Sequence, residues 1–162
     1  MHFVSPDIAK KEVLERASMV AKFLCWIYVT DSYLLSSTVV QGASMLQTLN
    51  FAGDVVLTEH LSQRLGKVGR GDLVLVRSPI DPNKILTQRI VGMEGDTVTF
   101  FADPNVGDCT ISREVPKGHI WVQGDNMYQS RDSRHFGPLP YGLIQGKVFF
   151  RVWPPHAFGS LS

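Results

Sequence analysis

Apolar residues recur at steps of three and four near the start of the chain, the pattern of an amphipathic helix. The apolar positions are Val13, Ala17, Val20, Leu24 and Ile27, and the polar positions opposite them are Lys11, Glu15, Ser18 and Lys22. Ser5 followed by Pro6 is typical of a helix start, because serine caps a helix and proline fits its first turn. We therefore predict that residues 1–36 form an N-terminal helix.

After Ser44 the pattern changes to short runs rich in β-branched and aromatic residues, separated by glycine and proline. The runs are 54–60, 72–78, 84–92, 96–101, 119–123 and 146–153. No helical pattern alternates with them, which argues against a parallel α/β sheet. The sequence predicts a mainly β, antiparallel domain over residues 37–156, followed by a tail at 157–162.

The predicted strand 84–92 places an amide on its apolar side. Side chains alternate faces along a strand, so Leu86, Gln88 and Ile90 share one face while Thr87 and Arg89 share the other. Gln88 is therefore expected in the core or in a cleft wall. A buried amide needs hydrogen-bond partners, unlike a polar residue on an exposed sheet face.

The sequence of the N-terminal helix does not decide whether it packs on protein or associates with a membrane. Its charge-free run extends only from Phe23 to Thr30, between Lys22 and Asp31, and about 20 residues are needed to span a bilayer. Lys22 can extend its amine toward water, so a membrane anchor remains compatible with this length. Periodicity alone supports a packing helix and a membrane-associated helix equally.

Composition excludes some classes of protein. The 162 residues carry a net charge of +1, which gives no case for nucleic-acid binding, because that would call for a basic face or stripe. Cys25 and Cys109 have no metal-ligand spacing and are expected to be free thiols. No spacing of ligand-type residues indicates a metal, and no cofactor is expected. His60, His119, His135 and His156 show no such spacing.

Two segments stand out as candidate chemistry. Ser44 lies in a turn of small residues, "GAS", between two apolar segments, as a nucleophile could. The polar segment 123–142 is too long for a simple hairpin connection and contains "DNMYQSRDSR". On its own, this segment is also compatible with a solvated loop held by Asp–Arg pairs.

Three stretches taken together resemble a known family. "GASMLQTL", "QRIVGMEGD" and "GDNMYQSRDSR" occur in the order and at the separations of the conserved boxes of type I signal peptidases. These are membrane proteases with a Ser/Lys dyad. The stretches "GRGDLVLVRSP" and "VPKGHIWVQGDN" are similar to the mitochondrial inner membrane protease kind, of the plant-like subunit 1 type. The resemblance covers about residues 35–155.

The resemblance implies roles for the matched residues. Ser44 is expected to be the nucleophile, and its N–H, next to Gly42, is expected to contribute to the oxyanion hole. Ser130 is expected to orient the general base. Asp132 and Arg134 are expected to form an ion pair that braces the active-site loop. The segment 124–126 would shape that loop, and Met45 would support the site.

The chain departs from the family at two positions. The family has its general-base lysine directly before the arginine of "RIVG", and this chain has Gln88 there. A buried lysine becomes a neutral amine at working pH and accepts the serine proton, whereas an amide lacks a comparable basic lone pair. Gln47 stands where the family usually has a proline that stiffens the turn. Both departures predict weak or absent peptidase activity.

Other groups could serve as the base. Lys84 has the right parity on the strand, but four residues place it about 13 Å from position 88. His119 and His135 lie near or in the conserved boxes, so a Ser–His arrangement is conceivable. A histidine in a loop is more often a surface residue.

The sequence is compatible with three functions to different degrees. The resemblance implies a membrane-anchored serine endopeptidase that removes sorting sequences from precursor proteins bound for the mitochondrial intermembrane space. Its catalytic domain would face that space from the inner membrane, in a hetero-oligomer with a second protease subunit. The alternative is an inactive scaffolding or presequence-binding subunit of the same complex. An unrelated soluble β domain is disfavoured by the three ordered boxes.

Overall fold

One helix precedes a β domain in the computed structural model, which describes the backbone of residues 6–101 and 110–161 and the side chains of residues 10–101 and 110–161. The helices are α1 (Pro6–Val29), α2 (Leu61–Arg64) and α3 (Ser133–Phe136). A π-helical turn spans Thr30–Leu34, and 3-10 turns span Ala43–Met45, Tyr141–Leu143 and Pro155–Ala157. The strands are β1 (Leu35–Gln41), β2 (Ala52–Glu59), β3 (Leu73–Arg77), β4 (Ile85–Gly92), β5 (Thr97–Phe101), β6 (Thr110–Glu114), β7 (His119–Gln123), β8 (Leu139–Pro140), β9 (Ile144–Trp153) and β10 (Gly159–Ser160).

The strands form one eight-stranded sheet and one separate hairpin. The main sheet has the order β1-β2-β9-β3-β4-β7-β8, with β10 pairing β9, and all of its described pairings are antiparallel. Strands β5 and β6 pair only with each other among the described strands. The prediction of a mainly antiparallel β fold with an N-terminal helix is confirmed.

The predicted strands match observed strands, with shifts at their ends. The run predicted at 54–60 is β2, and the run predicted at 84–92 is β4, which begins one residue later at Ile85. Strands β1, β6, β8 and β10 were not predicted. Strand β1 begins at Leu35, inside the region predicted as helix, and β10 lies in the segment predicted as a tail.

Strand β3 is buried on both faces and separates two apolar clusters. Val74 and Val76 pack in one cluster with Ile90, Ile120, Val122 and Ile144. Leu73 and Leu75 pack in the other cluster with Val40, Met45, Leu49, Val56 and Val148. A strand covered on both sides is read in sequence as a continuous apolar run, as "LVLV" is here.

The side chains of α1 are exposed. Every residue from Lys10 to Val29 is exposed, including Phe23 and Trp26, which retain 59% and 66% of their accessible surface. Within the described residues, no helix has the length and apolar character needed to cross a bilayer. Cys25 is an exposed free thiol, whereas Cys109 lies outside the described residues.

Replacement of Ile90 tests the central core. Ile90 is 1% exposed, so Ile90→Ala is expected to lower the free energy of unfolding by about 2–5 kcal/mol. Ile85 lies on the same strand but is 55% exposed, so Ile85→Ala is a matched control expected to cost less than about 0.5 kcal/mol. Urea denaturation of both variants measures the difference, and equal costs would contradict the assigned core.

Candidate active site

Ser44 sits in a tight turn fixed at both ends. It lies at the centre of the 3-10 turn Ala43–Met45, directly after β1, and it is half-buried. Gly42 precedes the turn with φ of 126°, a backbone conformation that side chains rarely permit, and its N–H donates to the carbonyl of Phe51 at 2.8 Å. Met45 is 1% exposed and packs in the core, so the turn cannot move independently of the sheet.

The loop after β7 reaches back to this turn. Asn126 donates from its backbone N–H to the Ser44 carbonyl at 2.9 Å and from Nδ2 to the Ala43 carbonyl at 3.0 Å. The Asp125 N–H points at the Met45 sulfur at 3.5 Å. The segment 124–126 therefore shapes the site by holding the backbone of the Ser44 turn.

Gly124 marks the point where Ser44 and Ser130 adjoin. A Cβ added to Gly124 would lie 2.6 Å from the Ser44 carbonyl oxygen and would also collide with the Ser130 Oγ. Only a residue without a side chain allows these two groups so close to the loop backbone. The structure therefore brings the turn of Ser44 close to Ser130, the second serine predicted for the site.

Gln88 is buried beside Ser130, as its position on the apolar face of the strand predicted. It is 1% exposed and lies opposite Val74 in the pairing of β3 and β4. Its Oε1 accepts from the Ser130 hydroxyl at 3.4 Å, and its Nε2 donates to the Arg131 carbonyl at 3.5 Å. Strand β4 also contacts the 3-10 turn that holds Ser44. Both ends of the amide thus have partners in the candidate active site.

Asp132 and Arg134 form a buried ion pair. Arg134 donates from Nε to Asp132 Oδ1 at 2.9 Å and from Nη2 to Asp132 Oδ2 at 2.6 Å. The side chain of Arg134 is 5% exposed and that of Asp132 is 0% exposed. The Asp132 carboxylate also accepts from the Gly124 N–H at 3.1 Å. This is the two-pronged geometry in which an arginine holds a carboxylate most strongly.

The environment of Asp132 keeps it ionised. Burial acts to raise its pKa, but the hydrogen bonds from Arg134, Gly124 and Ser130, together with the charge of Arg134, outweigh burial and lower the pKa. The carboxylate is therefore a fixed negative charge beneath the loop, and it links Ser130 to Gly124.

A second ion pair, between Arg89 and Asp125, was not predicted. Arg89 donates from Nε to Asp125 Oδ1 at 3.0 Å and from Nη2 to Oδ2 at 2.9 Å, and Thr48 Oγ1 donates to the same carboxylate. Burial raises the pKa of Asp125, but the bonds from Arg89 and Thr48 lower it overall. The pair joins β4, the loop and the segment after Ser44. Asp125 is 36 residues from Arg89 and 77 residues from Thr48 along the chain, so local spacing gave no signal of these contacts.

The three residues that could replace the lysine as base each contact a group other than Ser44. Lys84 precedes β4, keeps 72% of its side-chain surface exposed and pairs with Asp81 at 3.2 Å. His119 Nδ1 is 3.0 Å from the Lys117 carbonyl. His135 keeps 56% of its side chain exposed, and its Nδ1 lies 4.0 Å from Asp132 Oδ1. None of these three recorded contacts involves Ser44.

The predicted site residues form one continuous chain of contacts. Gly42 holds the turn of Ser44, Gly124 joins Ser44 to Ser130, and Ser130 contacts both Gln88 and Asp132. Arg134 completes the chain through Asp132. Among the described residues, no group of three or more His, Cys, Asp or Glu side chains is arranged to hold a metal ion.

The family of the chain follows from a match that covers most of its length. The family model described as "Signal peptidase, peptidase S26" matches residues 13–106 and 101–153. The chain belongs to the peptidase S26 family. This family is one of serine proteases, and the resemblance carried by the three sequence stretches is confirmed.

Curated relatives place this S26 chain among inner membrane protease subunits. It is 64% identical over 151 residues to the Arabidopsis thaliana mitochondrial ATP-independent inner membrane protease subunit 1a, covering 93% of this chain and 90% of that protein. It is 38% identical to the mouse mitochondrial inner membrane protease subunit 1, with 90% and 86% covered. A crystal structure of an Enterococcus faecalis signal peptidase I matches with a TM-score of 0.43 and 24% identity, covering 50% of this chain and 96% of that one.

Loss of the Asp132 charge is expected to destabilise the S26 domain in a pH-dependent way. Asp132→Asn leaves Arg134 buried without its counter-charge, which is expected to cost about 3 kcal/mol near neutral pH. Folding lowers the pKa of Asp132 below its ordinary value of 3.8, so its stabilisation is complete above that value and is lost as the pH falls through the folded pKa. Chemical denaturation between pH 7 and pH 2 measures this. The difference between the two proteins is expected to shrink as the pH falls below about 4, and a constant difference would contradict the account.

Removal of the Asp125 carboxylate is expected to loosen the turn of Ser44. Asp125→Ala removes the carboxylate that accepts from Thr48 and Arg89, and leaves the Arg89 guanidinium without its counter-charge, at an expected cost of about 1–3 kcal/mol. Hydrogen exchange should report faster exchange at the amide of Leu49, which donates to the Met45 carbonyl at 2.6 Å. Asp81→Ala, which removes an exposed ion pair, is the matched control and should leave that amide unchanged.

Proposed function

We propose that this chain is a membrane-anchored serine endopeptidase subunit of a mitochondrial inner membrane protease, of the subunit 1 type, with weak intrinsic peptidase activity. Its catalytic domain faces the intermembrane space, and its substrates are precursor proteins with hydrophobic sorting sequences. The names of the relatives support the compartment and the complex. A zebrafish inner membrane protease subunit 2 is also 40% identical over 120 residues, which supports a hetero-oligomer with a second subunit.

The proposed chemistry is attack by Ser44 on the scissile carbonyl. The first N–H groups of a helical turn have no acceptor within that turn, so the Ser44 N–H is placed to stabilise the developing oxyanion. Gly42, with its φ of 126°, lets the chain turn from β1 into this segment. In this proposal, Asp132 and Arg134 brace the loop and Ser130 orients the group at position 88.

Gln88 is the single observation that carries the prediction of low activity. A general base must accept the serine proton, and an amide does this poorly. Gln88 is 1% exposed and bonded to Ser130 and to the Arg131 carbonyl, so it occupies the place where a lysine amine would lie. The Ser130 oxygen and the Arg131 carbonyl are both able to accept hydrogen bonds from such an amine. The pocket thus suits a lysine, although it contains an amide.

A substrate is expected to bind as an extended segment along β1. This strand is the first of the main sheet, and among the described strands it pairs only with β2. Its last residue, Gln41, is three positions before Ser44. A peptide that pairs with the free edge of β1 would therefore run toward the nucleophile.

The exposed apolar surface supports attachment to a membrane. α1 exposes Phe23, Leu24, Trp26 and Ile27. Trp153, the last residue of β9, and Phe158, which lies beyond that strand, are 54% and 63% exposed, and tryptophan is enriched at membrane–water interfaces. A membrane anchor accounts for these apolar residues better than a helix that packs on its own domain, because their surface is not covered by that domain.

The second candidate is a noncatalytic subunit that scaffolds the complex or holds presequences. The specific observation in its favour is the same amide at position 88, in a site whose surrounding contacts are complete. The two candidates differ only in whether any cleavage occurs. They share the fold, the groove and the partners.

Restoration of lysine distinguishes them. In detergent, the native protein, Gln88→Lys and Gln88→Lys/Ser44→Ala are each given a peptide with an inner-membrane sorting site, and cleavage is read by mass spectrometry. A general base contributes roughly 10²–10⁴-fold, so Gln88→Lys should cut at least about 100-fold faster than the native chain. The double variant should not cut, and Gln63→Lys, a glutamine in α2, is the matched control.

Each outcome has a definite meaning. Cleavage by Gln88→Lys alone would show an intact nucleophile and groove, and would favour the noncatalytic role for the native chain. Efficient cleavage by the native protein would mean that another base serves Ser44, and the role assigned to position 88 would be wrong.

A further inference from the structure

The direction of α1 relative to the β domain depends on a short junction. The side chains from Lys10 to Val29 are exposed, so α1 gains little support from the sheet. The chain passes from α1 through the π-helical turn Thr30–Leu34 directly into β1 at Leu35. Whatever fixes these few residues also fixes the angle of the helix.

His60 makes three hydrogen bonds at this junction. Its backbone N–H donates to the Leu34 carbonyl at 3.0 Å. Its ring contacts the Ser36 Oγ through Nε2 at 2.9 Å and the Gln145 carbonyl through Nδ1 at 2.7 Å. One residue therefore ties the last residue of the π-helical turn and the start of β1 to the beginning of β9.

The two ring contacts indicate which nitrogen carries the hydrogen in a neutral imidazole. A carbonyl oxygen only accepts, so Nδ1 must carry the hydrogen that is shared with Gln145. In the neutral ring Nε2 is then an acceptor, and the Ser36 hydroxyl donates to it. Both nitrogens are thus used, and the ring is held in one orientation.

The surroundings of the ring are closely fitted. A Cβ added to Gly146 would lie 3.0 Å from His60 Nδ1 and 2.7 Å from the Glu59 carbonyl oxygen, so a glycine allows β9 to approach. Arg64 in α2 adds a second support, with its guanidinium 5.0 Å from the centre of the Tyr33 ring. His60 and Arg64, which both support the junction, lie in the segment that follows β2.

The junction lies at one end of β1 and the Ser44 turn lies at the other. Strand β1 has 7 residues from Leu35 to Gln41, which correspond to about 23 Å. Helix α1 has 24 residues and is therefore about 36 Å long, so a rotation of roughly 20° at the junction would move its far end by about 12 Å. If the junction were flexible, the distance between a membrane that holds α1 and Ser44 would vary.

We propose that His60 is a positioning residue, which locks the junction between α1 and the sheet so that a membrane-held α1 presents Ser44 at a fixed distance and angle to membrane-bound substrates. The locking itself stands on the three hydrogen bonds, and its role in presenting substrates rests on the proposed function. His60 has no part in bond cleavage in this proposal. It acts through β1.

A distance measurement tests the lock without any catalytic activity. Spin labels are attached to Cys25 in α1 and to Arg77→Cys at the exposed end of β3, in the full chain with Cys109→Ser, reconstituted in lipid nanodiscs. Pulsed electron resonance then reports the distribution of the distance between the two labels. The parent protein should give one narrow distribution, and His60→Ala should broaden it about twofold or more, as expected from losing two side-chain hydrogen bonds.

Matched variants exclude a general loss of structure. His156→Ala, at an exposed histidine beyond β9, should leave the distribution narrow. If His60→Ala does not fold, Ser36→Ala removes only the Nε2 contact and should still broaden the distribution measurably. An unchanged distribution in the folded His60→Ala, or in Ser36→Ala where only that variant folds, would overturn the proposal.

A cleavage assay separates this inference from the proposed function. In the Gln88→Lys background, His60→Ala should slow cleavage of a substrate anchored in the same nanodisc roughly five- to tenfold. Cleavage of a short soluble peptide should be unchanged. Equal loss on both substrates would overturn the positioning role, whereas no cleavage by the Gln88→Lys parent would count against the proposed function and leave the distance result standing.

Discussion

The Asp132 carboxylate holds the candidate active site together. It accepts hydrogen bonds from Arg134 and from the Gly124 N–H, and it is fully buried. Through Gly124 it fixes the loop that lies against the Ser44 carbonyl, and through Ser130 it reaches Gln88. A buried charge without its partner is costly, so the loop, the ion pair and the Ser44 turn are expected to form or fail together.

Sequence patterns predicted the parts of this structure that depend on local periodicity. The alternation in 84–92 placed Gln88 on the apolar face, and the structure buries it there. The polar strand β6, "TISRE", has no buried residue and was missed, because a strand without an apolar face has no periodic signal. Strand β1 was not predicted, and its first two residues, Leu35 and Ser36, were assigned to the helix, because the exposed Leu35 does not distinguish a strand edge from a helix face.

Contacts between distant segments required the structure. The Arg89–Asp125–Thr48 contacts join three elements that are far apart in sequence, and nothing in local spacing pairs them. The same is true of His60, which the sequence pattern placed at the end of the predicted strand 54–60 with no indication of its partners. By contrast, the Asp132–Arg134 pair could be predicted because the family resemblance carried it. The periodic pattern of apolar residues thus predicted most of the strands, but it did not predict these long-range hydrogen bonds and ion pairs.

Position 88 keeps the packing and hydrogen bonds of the site but lacks a basic group. The amide of Gln88 is similar in length to a lysine and finds partners at both ends, so its presence leaves the surrounding contacts complete. What it removes is a group able to accept a proton, which a nucleophilic serine requires. The fold of an S26 peptidase is thus compatible with a site that binds but cleaves poorly.

Acylation of Ser44 by an activated peptide ester tests the effect of this missing base most directly, because it isolates the step that needs the base. Intact-mass measurement over time, with the modified residue located by fragmentation, gives the acylation rate of the native protein and of Gln88→Lys. The account predicts that Ser44 of the native protein acylates at least about 100-fold more slowly than Ser44 of Gln88→Lys. Equal rates at Ser44 would contradict it, because they would show that the amide at position 88 does not limit the nucleophile.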